Sequence, residues 1–131
     1  MSEDVRQDDL TIPSTDRLFR RVPHNWIVLL DDGSYRPSSA NFKDKELSIN
    51  IESLLTEQGR PPEDTLANHS GFYLTSIIVD NVRSYGYPIV KDNDPPNDPA
   101  HGLVLGDKKK KFPDNMARTS QWIVPPPPKA A

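Results

Sequence analysis

The apolar residues of this chain come in short runs separated by polar punctuation. Leu18, Phe19 and Val22 form a first apolar region. They precede residues 26–30, whose aromatic and β-branched character predicts a buried strand. Asp31-Asp32-Gly33-Ser34 closes that strand with turn chemistry. Leu47, Ile49 and Ile51 alternate with Ser48 and Asn50, the two-residue period of a half-buried strand. The same region then predicts a helix of about two turns. Asn50 is its expected N-cap, Leu54 and Leu55 its apolar face, and Gly59 its C-terminal stop. A second helix start is expected at Pro61-Pro62-Glu63-Asp64, where a proline is tolerated and carboxylates face the helix dipole. Residues 72–79 give the strongest strand signal, followed by a short helix from Asp80 through Tyr85 that Gly86 ends. Ile89-Val90 and residues 102–106 read as short strands on either side of a loop over 91–100. Pro113 is expected to open a helix over 114–120, and Trp122-Ile123-Val124 to form a last strand.

This order of elements predicts an α+β fold: a small mixed sheet of short strands with a few short helices, and no repeat of fixed period. Charge and proline divide the 131 residues further. The first sixteen carry five carboxylates against Arg6 alone. With few large apolar groups they are expected to form a disordered acidic segment (1–16). They also lack the basic start and apolar run of a signal peptide. Residues 17–124 balance fourteen basic against fourteen acidic side chains, and are read as one domain. That neutrality argues against a general nucleic-acid binder. Fourteen prolines are about twice the usual share. Four of them begin the tail (125–131), where a stiff, solvated polyproline II end is expected rather than an SH3 or WW ligand. The absence of cysteine removes disulfides, thiol catalysis and cysteine-bound zinc. No apolar stretch is long enough to cross a membrane as a helix.

Four segments, in order, carry a resemblance: Arg20-Arg21-Val22-Pro23, residues 36–42 (Arg-Pro-Ser-Ser-Ala-Asn-Phe), Leu47-Ser48-Ile49, and residues 100–106 (Ala-His-Gly-Leu-Val-Leu-Gly). Over roughly residues 17–124 the chain resembles small bacterial single-domain proteins of unknown function. Those have an Arg-Pro start, a Ser-Ser-x-x-Phe segment and an Ala-His-x-x-Val-x-Gly strand. The resemblance implies a bacterial, cytoplasmic protein and brings no activity with it.

Complete catalytic motifs are missing. His24, His69 and His101 have no partner histidine at helical or strand spacing. Asp92, Asp94 and Asp98 lack the glycine and terminal glutamate of a calcium loop, so no metal or other cofactor is expected. Ser38 and Ser39 have no nucleophile elbow around them. His101 is the most suggestive residue, an imidazole beside a strand bounded by Gly102 and Gly106, where small residues allow close approach. Arg20, Arg36, Ser39, His101 and Gly102 are the candidate ligand-binding set, with His101 and Ser39 as the catalytic candidates. Arginine forks and hydroxyls suit phosphate oxygens. An ADP-ribosyl-transfer-like site would need a carboxylate that the pattern does not supply. Lys108, Lys109, Lys110 and Lys111, with Arg118, form the only basic patch and a candidate contact for nucleic acid or an acidic partner. The leading expectation is an accessory or protein-interaction domain without a complete catalytic site. The alternatives are a nucleotide- or phosphate-ligand enzyme built around His101, and nucleic-acid contact through the lysines.

Overall fold

The alternation of Leu47, Ile49 and Ile51 builds a strand in the computed structural model, which describes residues 6–127. Its elements are β1 (Arg17–Pro23), β2 (Ile27–Leu29), β3 (Tyr35–Pro37), β4 (Glu46–Ile51), α1 (Glu52–Glu57), β5 (Phe72–Ile78), α2 (Val79–Ser84), β6 (Ile89–Lys91), β7 (His101–Leu105), α3 (Lys111–Thr119) and β8 (Gln121–Val124). Short 3-10 turns cover Ser39–Phe42 and Pro62–Leu66. Six strands form one sheet in the order β6-β7-β4-β1-β5-β8, and β2 and β3 form a separate hairpin. Every pairing is antiparallel, so the fold is α+β with an antiparallel rather than a mixed sheet.

The strand expected over 26–30 is corrected. Its central residues form β2, outside the main sheet, and Leu29 is 44% exposed. The first sheet strand is β1, where Leu18, Phe19 and Val22 are buried although arginines flank them. Asn50 is not a cap: Ile51 takes that position, and Gly59 follows α1 with a positive φ of 66°. The second expected helix is only the 3-10 turn at Pro62–Leu66.

Two expected tails also change. From Asp8 onward the acidic N-terminal segment packs against the body. Ile12 is fully buried in the main core, Asp9 N–H donates to Ile89 O (2.8 Å), and Ile89 N–H donates to Asp8 Oδ1 (2.9 Å). One apolar side chain and a few well-placed carboxylates suffice because they meet an open sheet edge at β6, whose backbone groups need partners. Of the described tail prolines, Pro126 is buried beside a shallow groove lined by Tyr35 and Trp122, whereas Pro125 and Pro127 are exposed as expected. Glu3 and Asp4 at one end, and Pro128 and Lys129 at the other, lie outside the described residues. Among the described residues no helix is long and apolar enough to cross a membrane.

Candidate functional site

Arg20 and Arg21 are neighbours on β1, so the pleat sends them to opposite faces of the sheet. Arg20 donates to Asn41 O (2.9 Å) and Ser48 O (3.0 Å) and lies 3.5 Å from Asp44. Burial pushes its guanidinium below the usual arginine range, and Asp44 opposes that shift. It is a bracket between β1, the Ser39–Phe42 turn and β4. Arg21 reaches the other face, where Nη1 donates to Thr65 O (3.2 Å). It takes part in none of the ion pairs among the described residues.

The register carries that second face across three strands. Phe19 of β1 stands opposite Asn50 of β4, and Asn50 stands opposite His101 of β7. Arg21, two residues beyond Phe19, therefore shares a face with Asn50 and His101. These three, with Arg60, His69 and Asp98, line a cavity of about 530 Å³. That volume lies within the ordinary range for small-molecule sites.

Asn50 is 4% exposed, and its Nδ2 has no hydrogen-bond partner among the described residues. An idle amide at that depth is unusual, because an unmade hydrogen bond costs about 1–3 kcal/mol. His101 is placed by its other ring nitrogen. Nδ1 lies 3.0 Å from Asp92 O and 3.1 Å from Asp92 Oδ2. Both of those atoms only accept while the carboxylate is ionised, so Nδ1 carries the proton and Nε2 keeps its lone pair in the neutral ring. Asn97 Nδ2 in turn donates to Asp92 Oδ2 (3.2 Å). His69 precedes β5 and sets its ring edge-on to Phe72 at 5.9 Å. Burial and the nearby Arg21 charge both lower its pKa.

The two carboxylates of the cavity are already occupied. Arg60 grips Asp98 through two parallel bonds (2.9 and 2.8 Å) and Asp64 through Nε (2.7 Å). The Arg60 hydrogen bond holds the Asp98 carboxyl below its ordinary value. Arg21 thus forms no ion pair among the described residues, although the Asp98 charge acts on it from within the cavity, and the two carboxylates that line the cavity are both held by Arg60.

The remaining candidates lie elsewhere. Arg36, Ser38, Ser39 and Arg118 line a separate cavity of about 310 Å³, with Val28 and Asp114. Ser39 and His101 therefore do not share a site, and Arg20 belongs to neither cavity. Gly102 faces away from His101 and makes room for packing. A Cβ there would sit 2.6 Å from Ile51 Cδ1 and 2.8 Å from Val90 O. Lys108 is withdrawn from the basic patch, because its ammonium donates to the carbonyls of Asp44, Val104 and Gly106 (2.9, 2.9 and 2.7 Å) and to Lys45 O at 3.3 Å. Burial pushes its pKa down to about 8. Lys109, Lys110 and Lys111 are exposed.

No family model, curated protein or solved structure matches the chain.

Sequence reasoning found His101 but missed Arg21, Asn50, Arg60 and the Asp92 partner. One signal was present. Asn50 and Ser48 are the polar members of the β4 alternation, and residues of that parity had to share the face of whatever paired with them.

Proposed function

We propose that the chain binds a small phosphate ester of nucleotide size in the His101 cavity. The observation that carries this reading is the buried, unpartnered Asn50 amide, which lines the cavity between Arg21 and His101. A phosphoryl group supplies the acceptor that Asn50 Nδ2 lacks and a direct ion-pair partner for Arg21, which otherwise feels only the Asp98 charge, and the planar guanidinium fork suits its oxygens. The reading keeps the phosphate-ligand alternative of the sequence and moves its cation from Arg20 and Arg36 to Arg21.

Titration of the ¹⁵N-labelled chain with uridine 3′-monophosphate and with inorganic phosphate tests it. Saturable shifts are expected at Arg21, Asn50 and His101, weakened at least tenfold by Arg21→Gln and unaffected by Arg36→Gln. Undiminished affinity in Arg21→Gln would sink the reading.

A second reading, as a protein-interaction domain, is favoured by the exposed apolar residues Trp26, Leu29 and Leu30 around the β2–β3 hairpin. A photo-crosslinker at position 29 tests it. A discrete adduct with one partner supports an interaction surface, and the absence of any adduct removes it.

A further inference from the structure

Three neighbouring strands and the segment leading into a fourth present four polar side chains to one cavity. His101 lies on β7, Asn50 on β4 and Arg21 on β1, and His69 lies three residues before β5 begins. The order is imidazole, amide donor, cation, imidazole. Adjacent strands are spaced by about 4.8 Å, so His101 and Arg21 stand on either side of Asn50, and His69 lines the same cavity from the segment leading into β5. An in-line displacement at phosphorus with a poor leaving group is accelerated by such groups: a proton acceptor for the attacking oxygen, a proton donor for the leaving oxygen, and charge stabilisation between them.

The nucleophile must come from the ligand or solvent. Among the described residues Thr65 supplies the only hydroxyl side chain lining the cavity. Its Oγ1 donates to Pro62 O (2.8 Å), and the residue is buried. An attacking hydroxyl next to the phosphorus gains the advantage of an intramolecular reaction.

Resting on the phosphate-ester reading above, we propose that this cavity cleaves small phosphodiesters that bear a vicinal hydroxyl, as in RNA, by acid–base transesterification, with His101 as base and His69 as acid. Nε2 of His101 takes the proton of the 2′-hydroxyl. That oxygen forms a new P–O bond and closes a 2′,3′-cyclic phosphate. The P–O bond to the 5′-oxygen breaks, and the leaving oxygen takes a proton from His69 in its imidazolium form, which burial and Arg21 make more acidic and restrict to the acid side of neutrality. Arg21 and Asn50 Nδ2 hold the two non-bridging oxygens as charge builds on them. Asp92, through Nδ1, stabilises the His101 imidazolium that forms. Proton exchange with water then resets both rings. No redox partner enters the balance.

The experiment uses the full chain in excess EDTA with three probes: uridylyl-(3′→5′)-adenosine, its 2′-deoxy analogue, and uridine 3′-(4-nitrophenyl phosphate). The expected product from the two ribo-esters is uridine 2′,3′-cyclic phosphate, and the deoxy analogue is bound but not cleaved. His101→Gln should lower both rates on the order of 10² or more. His69→Gln should lower the dinucleotide rate similarly, yet change the nitrophenyl ester rate by less than about threefold, because nitrophenolate leaves without a proton. A role for His69 in folding alone would depress both substrates equally, and that result overturns its assignment as acid. Retained binding of uridine 3′-monophosphate without any cyclic product overturns the catalytic inference and leaves the binding reading standing. Loss of that binding in the unmodified chain overturns both.

Discussion

A buried amide donor without a partner, such as Asn50 Nδ2 among the described residues, weakens the folded chain by about 1–3 kcal/mol relative to a satisfied one. Asn50→Leu removes the idle donor and keeps the side-chain volume. It is expected to leave the Tm unchanged or raise it, while weakening uridine 3′-monophosphate binding at least tenfold; thermal melts and titration on the same preparation check both. This is the usual opposition between site and stability. Gly102 behaves in the opposite way. Its added Cβ would meet the Val90 carbonyl, a backbone atom that cannot step aside, as well as the Ile51 methyl. Gly102→Ala is expected to destabilise by about 1–3 kcal/mol in denaturant unfolding without a direct effect on the ligand. The two residues sit on opposite faces of the sheet, and only one of them serves the cavity. Proximity to His101 in sequence made Gly102 look like part of the site, whereas strand pairing across it determined its role.

At the scale of elements, the loop over 91–100 is held by Arg60 and by the Asp92–His101 contact. The Asp98 carboxyl has a lowered pKa because Arg60 hydrogen-bonds to it. A carboxylate of depressed pKa stabilises the fold fully above its unfolded value and loses that contribution as pH falls through the folded one. The stability gap between the unmodified chain and Arg60→Gln should therefore be constant near neutrality and shrink below about pH 4, as pH-dependent urea unfolding would show. Lys108 closes the turn between β7 and α3 by donating to carbonyls from two segments. Lys108→Met should cost about 1–3 kcal/mol, and alanine at Lys109, Lys110 or Lys111 less than about 0.5 kcal/mol. Most elements were legible from local pattern: β4, β5, β6 and β7 arise from apolar periodicity, and Gly59 and Gly86 mark helix ends. β1 was obscured because its arginines interrupt the pattern. The hairpin was mistaken for core because residues 26–30 are apolar without being covered. The cavity was only half legible, since it depends on which strands become neighbours, and β1 lies between β4 and β5 for reasons that no local window contains.

At the scale of the whole molecule, the N-terminal segment is a structural part of the body. Arg83 of α2 donates to Asp9 O and Ile12 O (both 2.9 Å) and lies 2.8 Å from Asp8. Ile12→Ala should cost about 2–5 kcal/mol, because it empties a fully buried site. The two Arg83 bonds and the Ile89–Asp8 bond join residues separated by 74, 71 and 81 positions along the chain. They have a consequence for the order of events during folding. A closure that spans so much chain is entropically late, so the earliest described residues find their places only after β6 exists to receive them. Stopped-flow measurements on Ile12→Ala should then show faster unfolding with little change in refolding rate. During synthesis the segment would wait at the far end of the chain, a latch that shuts only once the edge strand it seals has been made.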